Sequence, residues 1–449
     1  MQSMSRLVAF LMLLVWPVLP TRAQTIVVFP FENAGADSRL SWLEEGLAEL
    51  TILRLAADTD DSPAVPAPAL HAGPRRLVLT RDDWLVAVEQ LGLPPAPLFA
   101  GYSRATMFRL AQHVRADFVI FGEFAAADGS LRIRAQALQT EPPALLDPQE
   151  VSGRLDELME LHARLLVDLL ATMREPAAAD SAALPQRFPR FRLDAFESYV
   201  RGLLTADDEQ RLRRLRDATR LEPGWPEPAY ALGQTYLARR DLATALIWLS
   251  RVPPAHPRGF EAAFYSGVCH LLRDDLVRAH TTFTTLAAAA QARERVPLPE
   301  VLNNLGVVLA RQQHWEQAAP YFHQASQMAA RQPVYWYNLG VAELAAERFP
   351  EAAAMFREVL LRNPEDAQAR ALLVRALELD GQNEEARAER EAVEFDLPQM
   401  DPRPAALLRI QAELHSPRQS FLPPMLPSTP APQDGARAER AAPATGVRP

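Results

Sequence analysis

A cysteine beside a histidine is the first feature of this sequence that could do chemistry. Cys269 precedes His270, and His280 follows on the same stretch, so thiolate and imidazole ligands for zinc are present. However, Cys269 is the only cysteine, and no second ligand pair has the spacing of a zinc site. We therefore interpret these residues as packing residues, and we expect no metal and no cofactor.

Acidic and basic side chains form no catalytic pattern. Glu44 and Glu45 are neighbours, but neighbours on a helix point about 100° apart, so a shared proton is not expected. The chain has no lysine, which excludes a P-loop lysine and a Schiff-base lysine, and it lacks the G-x-S-x-G and H-E-x-x-H stretches. We predict that the protein is not an enzyme. An unrecognised site in the N-terminal half is the alternative.

The charge distribution bears on possible partners. A net charge of −9 argues against non-specific nucleic-acid binding, which requires a basic surface. A local run of arginines could bind anionic lipid or polysaccharide, although a solvated helix face is the preferred interpretation. The run comprises Arg211, Arg213, Arg214, Arg216 and Arg220.

The N-terminus resembles an export signal. Arg6 precedes an apolar run over residues 7–18, and Thr21-Arg22-Ala23 offers small residues at the cleavage positions. We predict a signal peptide over residues 1–23, cleaved after Ala23, and a periplasmic or exported mature protein. The alternative is an uncleaved membrane anchor. A lipoprotein anchor is excluded because no cysteine stands at the predicted cleavage site directly after the apolar run.

Residues 24–173 alternate strand and helix signals, which predicts a small α/β domain. A linker is expected over residues 174–190, helices alone over 191–396, and a Pro-rich, mostly disordered tail over 397–449, interrupted by an amphipathic stretch at Ala405–His415. Within the α/β domain we predict strands near residues 25–31, 76–80, 118–124 and 131–138, helix starts at Asp37 or Ser38, Thr80 and Ser103, and a long helix over 151–173.

A repeat of 34 residues is the strongest signal in the C-terminal half. Small residues recur where two helices of a hairpin must cross closely, and a single lengthening of five residues falls near Ala288–Pro299. The pattern predicts about six helical hairpins stacked into a solenoid. The recurring residues are Gly233, Gly267, Gly306 and Gly340 on the first helices, and Ala245, Ala279, Ala318 and Ala352 on the second.

This pattern resembles the tetratricopeptide repeat family, most closely around Trp336-Leu339-Gly340-Ala352-Phe356-Pro364. The resemblance implies protein or peptide partners, bound in a groove lined by the first helix of each hairpin. Arg311 could replace one of the lysines with which some members hold a terminal carboxylate. Carried onto this chain, the groove would be lined by Tyr230, Gln234, Phe264, Val268, Asn303, Val307, Tyr337, Asn338 and Val341.

The N-terminal half resembles the TolB-like (CsgG/FlgO-like) domain, through Val27-Val28-Phe29-Pro30-Phe31, Glu45-Gly46-Leu47 and Ala116-Asp117-Phe118. The Pro-rich residues 58–74 depart from that pattern. The resemblance implies an envelope-associated binding domain. We therefore expect an exported scaffold of the bacterial envelope that binds polypeptides through the groove. The alternative is a structural subunit of an envelope assembly or secretion complex that oligomerises through residues 24–173.

Overall fold

The computed structural model describes residues 24–35, 37–57, 76–93, 102–173, 188–292, 298–391 and 404–414. The predicted signal peptide, residues 174–187 of the predicted linker and most of the Pro-rich tail lie outside these residues. Within them, the chain has the expected class, a small α/β module followed by a helical solenoid.

A mixed sheet forms the centre of the α/β module. Strand β1 is parallel to β3 on one side and to β4 on the other, and β4 and β5 form an antiparallel hairpin. Strand β2 is parallel to the end of β4, and β6 and β7 both pair with β5. The strands are β1 (Gln24–Val28), β2 (Glu32–Asn33), β3 (Arg76–Leu79), β4 (Phe118–Ala127), β5 (Ser130–Thr140), β6 (Pro143–Leu145) and β7 (Gln149–Arg154).

Helices cover both faces of this sheet, which explains why Ile26, Val27 and Val28 of β1 are all apolar and buried. Ile26 and Val28 face a core shared with α1 (Trp42–Ala57) and α4 (Leu158–Thr172). Val27 faces a second core, shared with α2 (Arg81–Gln90) and α3 (Arg104–His113).

Local signals in the module are largely confirmed. Asp83 accepts hydrogen bonds from the backbone N–H and hydroxyl of Thr80, both at the start of α2. Asp128 and Gly129 have φ of 51° and 76°, as a two-residue hairpin turn requires. The helix predicted to start at residue 151 instead begins at Leu158, because residues 149–154 pair with β5 as strand β7.

Within the residues described, six antiparallel helical hairpins follow the module. The pairs are α5 (Leu193–Leu204) with α6 (Asp208–Leu221), α7 (Pro226–Ala238) with α8 (Leu242–Leu249), α9 (Gly259–Leu272) with α10 (Leu276–Ala292), α11 (Pro299–Arg311) with α12 (Trp315–Met328), α13 (Pro333–Ala345) with α14 (Phe349–Arg362), and α15 (Ala367–Leu379) with α16 (Asn383–Glu391).

Close helix crossing explains the recurring small residues. A Cβ built on Gly306 would lie 2.7 Å from the Phe322 ring, and one on Gly340 would lie 2.8 Å from Phe356. The four recurring alanines of the second helices are completely buried. The repeat therefore reflects a steric requirement at each crossing.

The turn inside each of the last five hairpins contains a residue with positive φ, which closes the first helix. These residues are Arg240, Asp274, Gln313, Glu347 and Gly381. Only the interval between Asp274 and Gln313 is lengthened. Helix α10 absorbs part of this insertion, since residues 288–292 are helical and not in the predicted loop.

One apolar core runs from the module into the first hairpins. Trp42 of α1 packs edge-on against Phe196 of α5, with ring centroids 6.1 Å apart. The Tyr199 hydroxyl donates to Glu49 at 2.9 Å across the same boundary. Because these contacts are buried, the module and the first hairpins form one continuous packing unit.

A buried polar chain lies beside this boundary. Arg54 donates to Nδ1 of His162 at 3.0 Å and to the carbonyl of Met159 at 2.9 Å. Nε2 of His162 is therefore protonated and donates to Thr51 at 2.9 Å. Burial lowers the pKa of Arg54 to about 10, and burial and then the Arg54 charge hold the pKa of His162 well below its usual value.

No helix among the described residues has the length and apolar character needed to span a bilayer.

Candidate functional site

The chain's own residues 404–414 lie across the first helices of the last three hairpins. We call the surface formed by α11, α13 and α15 the groove, and residues 404–414 the tail segment. The tail segment begins with one helical turn, α17 (Pro404–Leu407), and residues 408–412 have no helix or sheet pairing. Leu408 is buried in the core of the last hairpins. The predicted mostly disordered tail therefore contains an ordered segment, because the groove supplies its contacts.

Two asparagines of the groove hold the backbone of the tail segment. Asn338 donates to the carbonyl of Arg409 at 2.7 Å and accepts from its N–H at 2.8 Å. Asn304 likewise donates to the carbonyl of Gln411 at 2.8 Å and accepts from its N–H at 2.9 Å. Alternate residues are held, which is the periodicity of an extended chain. Each amide side chain thus acts as the neighbouring strand of a sheet would.

Asn303 completes this network between the two asparagines. Its side-chain oxygen accepts from the side-chain amide of Asn338 at 2.8 Å. Its side-chain NH₂ donates to the side-chain oxygen of Asn304 at 3.2 Å and to the Arg409 backbone carbonyl at 3.4 Å. All three asparagines are completely buried. Buried amides are costly without partners, so removal of the tail segment would leave this network incomplete until water or another chain replaced it.

The side chain of Arg409 has its own binding site. Its guanidinium makes a two-pronged ion pair with Asp366, with N–O distances of 2.6 and 2.8 Å. The guanidinium carbon lies 3.5 Å from the ring centroid of Tyr337, and Gln368 accepts a further hydrogen bond at 3.2 Å. Together these three residues form the arginine subsite.

Asp366 also caps α15 by accepting from the N–H of Ala369 at 3.0 Å. Burial raises the pKa of Asp366, but the hydrogen bonds from Arg409 and Ala369 and the Arg409 charge outweigh it, so the pKa lies below its ordinary value of 3.8. The carboxylate is therefore ionised at neutral pH, as its ion pair requires.

The predicted lining residues divide into two groups. Asn303, Asn338 and Tyr337 contact the tail segment, as described above. The others make no hydrogen bond to it that the structure shows, and four belong to the repeat core with no exposure because they fill the spaces between helices. These four are Phe264, Val268, Val307 and Val341.

Tyr230 and Gln234 lie on α7, outside the part of the groove that the tail segment occupies. Gln234 donates to the Tyr230 hydroxyl at 3.0 Å, and Arg258 lies over the Tyr230 ring. Arg311 donates to the Leu271 carbonyl of the preceding hairpin at 3.1 Å. It therefore links two hairpins, and the tail segment does not use it.

Sequence analysis missed Asn304, Asp366, Gln368, Arg409 and Gln411. The position of Asn304 relative to Gly306 equals that of Asn338 relative to Gly340, so the repeat itself marks this pair. Asp366 resembles an ordinary helix cap in sequence.

Three of the other candidate chemical groups are buried or ion-paired. Cys269 is buried, and burial raises the pKa of its thiol to about 11. Glu45 lies 3.5 Å from Arg81, and Arg211 pairs with Asp208. Among the described residues, no group of three or more potential ligands could hold a metal ion.

Comparison with known proteins identifies part of the helical half. Residues 303–354 and 343–410 each match a family model described as tetratricopeptide repeat. No curated protein matches the chain. The chain therefore contains tetratricopeptide repeats, which support a role as a protein-interaction scaffold.

Several solved structures are also similar to this chain. One, from a functional characterisation of Pseudomonas aeruginosa pilF, covers 44% of this chain and 90% of its own, with 16% identity and a TM-score of 0.38. YrrB, described as a TPR protein with an unusual peptide-binding site, covers 39% and 89%, with 16% identity and a TM-score of 0.33. MamA covers 39% and 98%, with 15% identity and a TM-score of 0.33.

Proposed function

We propose that this protein is an exported, non-enzymatic scaffold of the bacterial envelope that binds an extended segment of a partner polypeptide in its groove. The observation that carries the proposal is the pair of asparagines, Asn304 and Asn338, that hold a peptide backbone. The groove needs no change of fold to accept such a ligand, because its polar side chains are already positioned.

Backbone recognition suits a scaffold because main-chain groups are common to all polypeptides, whereas side-chain pockets add selectivity. Each reciprocal amide pair satisfies one donor and one acceptor of the ligand. A typical hydrogen bond contributes about 1 kcal/mol net, so the four bonds alone are modest. Leu408, next to them, is buried, so apolar contact adds to the docking of the tail segment and supports a similar contribution for a partner.

The proposed location rests on the N-terminal sequence and on the TolB-like resemblance of the α/β module. The core shared by the module and the first hairpins supports a scaffold in which both binding surfaces are held in a fixed relation. If the protein is exported and cleaved after Ala23, the mature chain should start at Gln24. N-terminal sequencing of protein recovered from envelope fractions tests this, and a retained Met1 would instead indicate an anchored form.

The groove can be tested by photo-crosslinking in envelope fractions. A photoreactive residue at Gln368, the exposed member of the arginine subsite, should capture a specific partner. The same residue at Arg213, on the exposed face of α6, is the control. The Tyr337→Ala, Asn338→Ala double variant should lose the partner while its helical circular dichroism persists. Equal capture by that folded variant would contradict groove binding.

The assembly alternative stays a prediction. Because the core of the α/β module continues into the first hairpins, light scattering on the full mature chain is the suitable test. A strict monomer across a wide concentration range counts against it.

A further inference from the structure

The groove recognises a side chain as well as a backbone, through the arginine subsite. We propose that this subsite makes the groove selective for extended partner segments that contain an arginine between aliphatic residues, and that the tail segment is an intramolecular competitor for them. The inference rests on the proposed function, since it names the chemistry of the partner that the same groove binds.

The chemistry of the subsite fits a guanidinium. The planar fork of Arg409 matches both oxygens of Asp366, and its flat face lies on the Tyr337 ring. A lysine ammonium could make neither the two-pronged pair nor the stacked contact. With Arg409 in place the Asp366 side chain is only 6% exposed, so a bound segment without a cation at this position would leave a buried carboxylate with no ion-pair partner.

The neighbouring contacts define the register of a ligand. Leu408, one residue before the arginine, is buried in the repeat core, and Ile410, one residue after it, is half-buried against that core. Asn304 then holds the residue two positions after the arginine by its backbone alone. The expected motif is aliphatic, arginine, aliphatic, followed by a residue of any type.

The tail segment should compete with a partner because it is covalently joined to the solenoid that forms the groove. Residues 392–403 join the last hairpin to the tail segment. Short tethers give effective concentrations in the millimolar range, so a tethered segment excludes a free one with the same contacts unless the free one is abundant. The apparent affinity of a partner is then reduced by the fraction of molecules with an empty groove.

The test uses the full mature chain and a fluorescent synthetic peptide of residues 404–414. In the Arg409→Glu variant the tail segment should be released, because a carboxylate then faces Asp366. The variant should bind the peptide at least 10-fold more tightly than the wild type, as measured by fluorescence anisotropy. Arg213→Glu makes the same charge change on the exposed face of α6, and it should bind like the wild type.

Selectivity is measured in the Arg409→Glu background with a second peptide that carries glutamine in place of the arginine. The arginine peptide should bind at least 10-fold more tightly than the glutamine peptide. Adding Asp366→Asn, which keeps a capping oxygen for α15 but removes the charge, should abolish this preference.

The outcomes separate the inference from the proposed function. Equal binding of both peptides to the Arg409→Glu variant would overturn the arginine subsite but leave peptide binding intact. Equal peptide affinity of the wild type and that variant would overturn competition. Light scattering could show that the wild type is a dimer and the Arg409→Glu variant a monomer. This result would mean that two copies exchange their tail segments, and it would also overturn intramolecular competition. If neither peptide binds any variant, the proposed function fails as well.

Discussion

Asn338 and Arg409 are 71 positions apart in the chain, yet the side-chain amide of the first and the backbone of the second exchange two hydrogen bonds. Asn304 repeats this arrangement with Gln411. Equivalent positions of two successive repeats therefore hold alternate residues of one segment.

Replacement of Asn338 by alanine should release the tail segment. The change removes both bonds to Arg409 and leaves the Asn303 carbonyl oxygen without its donor, at a cost of about 2–3 kcal/mol. Hydrogen exchange at residues 404–414 should become faster, while exchange in α13 should stay slow. The control is Asn383→Ala, at the exposed start of α16. Unchanged hydrogen exchange at residues 404–414 in Asn338→Ala would show that Asn338 does not hold the tail segment.

Tyr337 should contribute through its ring and not through its hydroxyl. That hydroxyl is buried with no hydrogen-bond partner that the structure shows, and burial raises its pKa. Tyr337→Phe should therefore change stability by less than about 1 kcal/mol, whereas Tyr337→Ala should cost about 3–5 kcal/mol, as large aromatic truncations do. Denaturant unfolding of both variants checks this, and equal losses would indicate that the hydroxyl is essential.

Acid should release the tail segment only at low pH. The pKa of Asp366 is lowered in the folded protein, so its stabilising contribution is present above 3.8 and is lost as the pH falls through the lower, folded-state pKa. Tail-segment docking should therefore be constant from neutral pH to about pH 5, as followed by a fluorophore at residue 412. Release that begins near pH 6 would point to a different group.

The buried histidine of the α/β module predicts a second pH effect. The pKa of His162 lies well below 6.5 in the folded protein, while the unfolded chain takes up a proton near 6.5. The stabilising contribution of the neutral histidine is therefore fully present above pH 6.5. Below that pH, the free energy of unfolding should fall by up to about 1.4 kcal/mol for each pH unit. Denaturant unfolding at several pH values should show this slope, and the exposed control His323→Gln should keep it. A flat profile in the wild type would contradict a neutral buried histidine.

Helix crossing should tolerate no methyl group at Gly306. The added carbon would lie 2.7 Å from Phe322, and such overpacking costs about 1–3 kcal/mol, against a gain of up to about 1 kcal/mol in helix propensity. Gly306→Ala should therefore lower the melting temperature. Gly224→Ala, where nothing lies within 4 Å of the added carbon, should not.

Much of this fold could be predicted because its signals are local or periodic. The Asp128-Gly129 turn, the Thr80–Asp83 contact and the glycine repeat each depend on residues close in sequence or at a fixed interval. Strand β7 is not predicted because Val151 is its only large apolar residue, so its sequence shows no alternating strand pattern. Its pairing depends on the edge of β5, which local sequence does not show.

The functional site was harder to predict because its contacts join residues that are distant in sequence. Asn303, Tyr337 and Asn338 could be placed in the groove by their repeat positions. Their ligand could not be predicted, because the match between Asp366 and Arg409 spans 43 positions and depends on the fold of the solenoid. Val307 and Val341 of the same helices are completely buried in the repeat core, and a one-dimensional repeat does not distinguish the face toward the next hairpin from the face toward the ligand.

The contacts of the tail segment also fix a direction. Arg409 meets the fifth hairpin and Gln411 meets the fourth, so the segment runs antiparallel to the order of the repeats. A partner bound with the same polarity would direct its C-terminal continuation toward the first hairpins and the α/β module, and its N-terminal part toward the end of the solenoid. Such a groove would orient its cargo as well as hold it, so a domain on the C-terminal side of the bound motif would be presented to the module first.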